Sequence, residues 1–157
     1  MSTLPDHVEA SVLLRGMFIN EVILLEKIID NWLAKYFCKN KKRQKEMFEL
    51  ILCHDRLTYS SKVQVFIFLV QNHCKQFQNE HPAFAKDLAE IGEKRNMLAH
   101  WLLDSTYDAV AKKELRFIKA KKMTPSIPFT STDIVKLNDD ILKYKQAIYC
   151  LVTPPIE

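Results

Sequence analysis

Apolar positions recur along this chain in alternating steps of four and three, the spacing that marks one face of an α-helix. The longest such run carries Leu14, Phe18, Val22, Leu25, Ile29, Trp32 and Tyr36. It predicts a helix from a capping start at Asp6 and Glu9 to about Phe37. Ile19, Ile23, Leu24 and Ile28 widen the seam, so this helix is expected to pack on more than one side. A basic loop then leads into a short helix predicted over 46–54. Val63, Phe66, Val70, Cys74 and Phe77 define the next helix, capped by Ser60 or Ser61. Its VFIFLV run is apolar nearly all round, which predicts a central position. Phe84, Leu88, Ile91, Arg95, Leu98 and Leu102 carry the same rhythm from near Pro82 to a stop around Asp104 and Ser105. A last helix starts at Thr130 and Asp133, in capping-box spacing, and carries Ile134, Leu137, Ile141, Tyr144, Ile148 and Leu151 before Pro154 and Pro155 close it.

The stretch from Tyr107 to Phe129 breaks the pattern and holds Pro125 and Pro128. One reading is a strand over 115–119, a turn near Thr124 and Pro125, and a returning edge strand. The other extends a helix through 108–117. The sum is an all-α fold, a single domain over 1–157 and a bundle of four to five helices, with a short β-hairpin before the last helix under the first reading.

Composition sharpens this picture. Two glycines in 157 residues disfavour all-β and glycine-loop nucleotide-binding folds. A net charge of +4 admits an anionic partner without requiring one. Cys38, Cys53, Cys74 and Cys150 form no close pair, so reduced, mostly buried thiols are expected, with no metal and no cofactor. The first ten residues lack the pattern of a signal peptide, and VFIFLV is too short to span a bilayer. A cytoplasmic protein without a membrane partner is the expectation.

Candidate chemistry centres on Arg95, a permanent cation at a seam position, where burial would demand a partner. Asn96 and His100 are four apart and share a helix face. Arg95 and His100 are five apart, about 140° around the axis and about 7.5 Å along it. One helix alone cannot aim both at one small group; two copies about a dyad could gather two arginines, two asparagines and two histidines in one cleft. Those groups suit RNA cleavage through the 2′-hydroxyl. Histidine can serve as base or acid near neutral pH, arginine offers a fork for phosphate oxygens, and asparagine can orient or donate.

The segment RNMLAH, Arg95 to His100, resembles the R-x4-6-H signature of the HEPN superfamily in its RNxxAH form. The resemblance covers this short motif specifically and the rest of the chain as architecture. It implies a homodimer with the motif at the interface and a metal-independent endoribonuclease leaving a 2′,3′-cyclic phosphate. It further implies an RNA substrate, a toxin–antitoxin, phage-defence or RNA-processing setting, and a neutralising antitoxin or defence-system partner. Arg95, Asn96 and His100 become the catalytic positions. Some toxin members carry a modifiable tyrosine two residues after the histidine; Leu102 stands there in this chain, so that regulation is not carried over. Lys41, Lys42, Arg43, Lys94 and Lys119 are candidate RNA contacts, with Lys121 and Lys122 beside them; ordinary surface solvation accounts for any one lysine equally well. The plainer readings are an Arg95 ion pair with Glu90, Glu93 or an acid on another helix, and a core His100 beside Trp101. The alternative function is a non-catalytic HEPN-fold module that binds protein or RNA.

Overall fold

The computed structural model describes residues 4–54, 56–112, 114–119 and 127–154. Seven α-helices and three short strands occur among them. Helix α1, Leu4–Phe37, is the spine. Asn40 caps α2, Lys41–Met47, by accepting from the backbone N–H groups of Lys42 and Arg43, and a π-helical turn, Phe48–Leu52, follows. The basic run is therefore helical, and this helix starts five residues before the predicted 46–54, because an asparagine side chain satisfies its first N–H groups.

Thr58 caps α3, Tyr59–His73, and Cys74 separates it from the short α4, Lys75–Glu80. Helix α5 spans Phe84–His100 and α7 spans Ser131–Cys150. The capping box at Thr130 and Asp133 forms as predicted, with each side chain bonded to the other's backbone N–H.

Helix α1 packs against α3, α5 and α7. Pairings along their lengths fix the directions. Lys62 meets Glu26 and Trp32 meets Phe66; Lys145 reaches Glu21; Arg15 reaches Trp101. Thus α3 and α7 run with α1, and α5 runs against it. Phe18, Val22, Leu25, Ile29, Phe66, Val70, Leu88, Ile91, Ile141 and Tyr144 fill the space between. A Cβ at Gly92 would stand 2.8 Å from Tyr59 Cε1, so the bare glycine lets Tyr59 lie against α5 and donate to the Leu88 carbonyl. Inside this core Lys62, 3% exposed, bonds to Glu26 and to Asp30 Oδ2 at 3.1 Å.

Two expectations about packing give way. Val65 and Phe68 are exposed, so α3 is not surrounded. Ile23 and Leu24 are exposed as well, whereas Ile28, Leu33 and Ala34 join the core beside the main seam, so α1 packs on more than one side only in its second half.

The region before α7 combines both readings. Helix α6, Tyr107–Lys112, precedes β2, Leu115–Ile118, and β3, Ile127–Phe129. The predicted turn at Thr124 and Pro125 lies outside the described residues. Strand β1, Leu102–Leu103, was not expected; it pairs antiparallel with Ile118 and Phe117 of β2 to complete a sheet in the order β1-β2-β3.

Of the four free thiols only Cys74 is buried; Cys38 and Cys53 are half-buried and Cys150 is exposed. Among the described residues no helix is long and apolar enough to cross a membrane.

Candidate functional site

Helix α5 buries Phe84, Leu88, Ile91, Gly92, Met97 and Leu98. It ends at His100, four residues before the predicted stop. Trp101 leaves the helix with φ −88° and ψ 148°. Leu102 and Leu103 then join the sheet, and Asp104 N donates to the Arg116 carbonyl at 2.8 Å. Strand pairing ends this helix without a breaker residue. His100 becomes its last residue, exposed at one end of the bundle.

Arg95 takes the seam position but is half-buried, because Met97 and Leu98 complete the core at this turn. Its Nη1 donates to Asn96 Oδ1 at 3.1 Å. That bond uses one acceptor site of the amide oxygen and leaves the Asn96 Nδ2 group as a donor. Among the described residues no carboxylate lies within ion-pair distance of Arg95. Glu90 is instead paired with Lys136 at 3.3 Å. Neither plainer arrangement is realised here: Arg95 is not tied to an acid, and His100 is not in the core.

Arg15 on α1 is a neighbour that sequence reasoning passed over. Its Nη2 donates to the Trp101 carbonyl at 2.9 Å, and its Cζ lies 4.8 Å from the centre of the Phe117 ring. Nε is buried without a partner among the described residues. Burial holds its pKa below the usual arginine value, and no acid offsets this. About two turns back, the buried His7 ring lies 3.2 Å, Nε2 to O, from the Asp104 carbonyl. Arg15 and His7 thus clamp both sides of the chain reversal that follows His100.

The remaining candidates are dispersed. Lys94 reaches the Phe129 ring, 5.7 Å from its centre. Lys119 follows β2 and is exposed; Lys121 and Lys122 lie outside the described residues. Lys41, Lys42 and Arg43 sit beyond the far end of α1. The structure does not bring them to Arg95 and His100 within one chain. Tyr107 opens α6 as an exposed ring, and Leu102 lies in β1.

Exposed apolar side chains occur on the half of α1 that carries Arg15. Val8, Val12, Leu13 and Met17 of α1 are exposed, and Leu102, directly beyond His100, is 60% exposed. Gly16 lies among them with open space above it.

The fold is an all-α bundle with a small antiparallel sheet, and the site lies where that sheet meets α5. No family model, no curated protein and no solved structure matches this chain. The functional reading therefore rests on the side chains themselves.

Proposed function

We propose that this chain is a metal-independent endoribonuclease of the HEPN type, active as a symmetric homodimer. Its setting is a toxin–antitoxin or phage-defence system, with a neutralising or triggering partner. The observation that carries the reading is Arg95: a cation with no acid partner among the described residues, bonded to Asn96 and one turn from a solvent-facing His100. Its guanidinium fork is thus uncommitted to any acid among the described residues and suits a phosphate.

In the proposed reaction His100 of one copy takes the proton from the 2′-hydroxyl and, as the imidazolium, returns it to the leaving 5′-oxygen. Arg95 and Asn96 Nδ2 supply charge and hydrogen bonds to the phosphate as it becomes five-coordinate. Arg15 acts as a positioning residue, holding the chain end that fixes His100. The dyad runs near the motif, where the uncovered side chains of α1 and Leu102 favour contact with a second copy.

The test is cleavage of a mixed RNA pool in excess chelator by wild type, Arg95→Ala, His100→Ala and Arg15→Ala, with product ends identified by mass. Wild type is expected to leave 2′,3′-cyclic phosphates. His100→Ala should lose about 10²–10⁴-fold, the usual share of one acid–base group. Arg95→Lys should not restore Arg95→Ala, since a point charge lacks the planar fork. Arg15→Ala should fall between wild type and His100→Ala. Equal cleavage by all variants would remove the catalytic reading and leave a binding module.

A further inference from the structure

The basic run that the site does not absorb lies at the opposite end of the bundle, and it is built around an exposed ring. Two adjoining grooves meet at the elbow between α1 and α2. One is lined by Lys35, Tyr36, Lys39, Lys41 and Gln44, the other by Phe37, Lys39, Asn40 and Arg43. Thr153 and Pro154 also border the first groove, and among the described residues no carboxylate lines either. Elsewhere many cations are committed: Lys62, Lys112, Lys136, Lys145 and Arg116 all hold acids. Lys35, Lys41, Lys42 and Arg43 form no ion pair among the described residues.

Three of them occupy the first turn of α2, where the helix dipole opposes positive charge. Asn40 already satisfies the Lys42 and Arg43 N–H groups, so the cationic character belongs to the side chains. The cap secures the helix without neutralising those side chains, and an external anion would do so. Phe37 adds a second, independent feature. It is 48% exposed and braced edge-on against Tyr36, which in turn stacks on Trp32 with ring centres 5.3 Å apart. A braced aromatic face beside a cluster of cations is the pairing that binds single-stranded nucleic acid, with bases on the ring and phosphates on the cations.

We infer that the α1–α2 elbow, with Phe37, Lys41, Lys42 and Arg43, is a second anchoring site for single-stranded RNA, remote from the Arg95–His100 site. Phe37 and Arg15 are 22 positions apart on one continuous helix, about 33 Å of axial rise. An RNA long enough to reach both ends binds more tightly than a short one through linked occupancy. The choice of RNA over other polyanions rests on the proposed function; the anchoring itself does not.

The experiment measures binding of labelled short and long oligouridylates as a function of salt, using the His100→Ala protein so that the RNA survives. Triple reversal Lys41→Glu/Lys42→Glu/Arg43→Glu is expected to weaken binding of the long RNA on the order of tenfold or more, and to reduce the slope of log K against log salt by about 2. Phe37→Ala should weaken binding while leaving that slope in place. Reversal of three exposed cations elsewhere, Arg56, Lys86 and Lys143, makes the same change in net charge and should do neither. Circular dichroism checks that each variant folds. Unchanged affinity and slope in the elbow variant, or equal weakening in the control, overturns the second site. Binding lost at the elbow in a protein that cuts no RNA would overturn the proposed function and sustain this one.

Discussion

Thr130 and Asp133 hold each other at the start of α7, and their effect on stability has a defined pH dependence. The Thr130 hydroxyl, then its backbone N–H, holds the Asp133 carboxyl below its ordinary value of 3.8. A carboxyl depressed in the folded state contributes stability above its unfolded pKa and loses it as pH falls through the folded one. Thermal melts should therefore show Asp133→Asn and Thr130→Ala each costing about 1 kcal/mol at neutral pH, with the Asp133→Asn deficit closing in strong acid. This cap was legible because S/T-x-x-D/E spacing is local. Arg95, Asn96 and His100 were legible for the same reason, since one helical turn sets their relation. Arg15 was not. Its role depends on the Trp101 carbonyl and the Phe117 ring, both distant in sequence, and nothing in LLRGM announces them. The half-burial of Arg95 was also hidden, because Met97 and Leu98 take up core positions that the regular seam had assigned to the arginine.

At the scale of elements, α1 and α3 are fastened by a buried ammonium. Lys62 serves both Glu26 and Asp30, and Asp30 Oδ1 has no partner among the described residues. Lys62→Met should leave Glu26 and the buried Asp30 with only the longer 4.0 Å contact from Lys27 to Asp30 and cost about 3–5 kcal/mol. For a domain of this size that is a fall of roughly 6–20 °C in Tm by calorimetry. Burial raises the Asp30 carboxyl above its ordinary value. The sign then runs opposite to that of Asp133: the penalty grows as pH rises through the raised folded value, so the Lys62→Met deficit should shrink on mild acidification. Helix existence and phase were readable from the sequence at α1, α3, α5 and α7. Their ends depended on tertiary events. Helix α5 stops at His100 because Leu102 and Leu103 find strand partners in a segment that had two readings. Helix α2 begins early because Asn40 caps it, outweighing the unfavourable charge of the run that follows. The central position expected for α3 failed because six apolar residues in a row do not reveal how many neighbours will cover them.

At the scale of the whole molecule, the two proposed sites lie at opposite ends of one spine, α1. At one, Arg95, Asn96 and His100 meet the clamp of Arg15 and His7; at the other, Phe37 stands among lysines. Two of the extra apolar positions on α1, Ile23 and Leu24, remain uncovered within one chain, and Val12, Leu13, Met17 and Leu102 are exposed as well. A second copy covering this face would also solve the geometric problem of the motif. Arg95 and His100 diverge by about 140° on one helix, so a scissile phosphate between two copies takes arginine from one and histidine from the other. The most direct measurement mixes inactive chains. Arg95→Ala and His100→Ala are purified separately, shown to fold, then unfolded and refolded together, and chelator-resistant RNA cleavage is assayed beside the mass in solution. The account predicts a dimer in which mixing restores cleavage well above the sum of the two parents. A monomer, or a mixture no more active than either parent beside a fully active wild type, would contradict it.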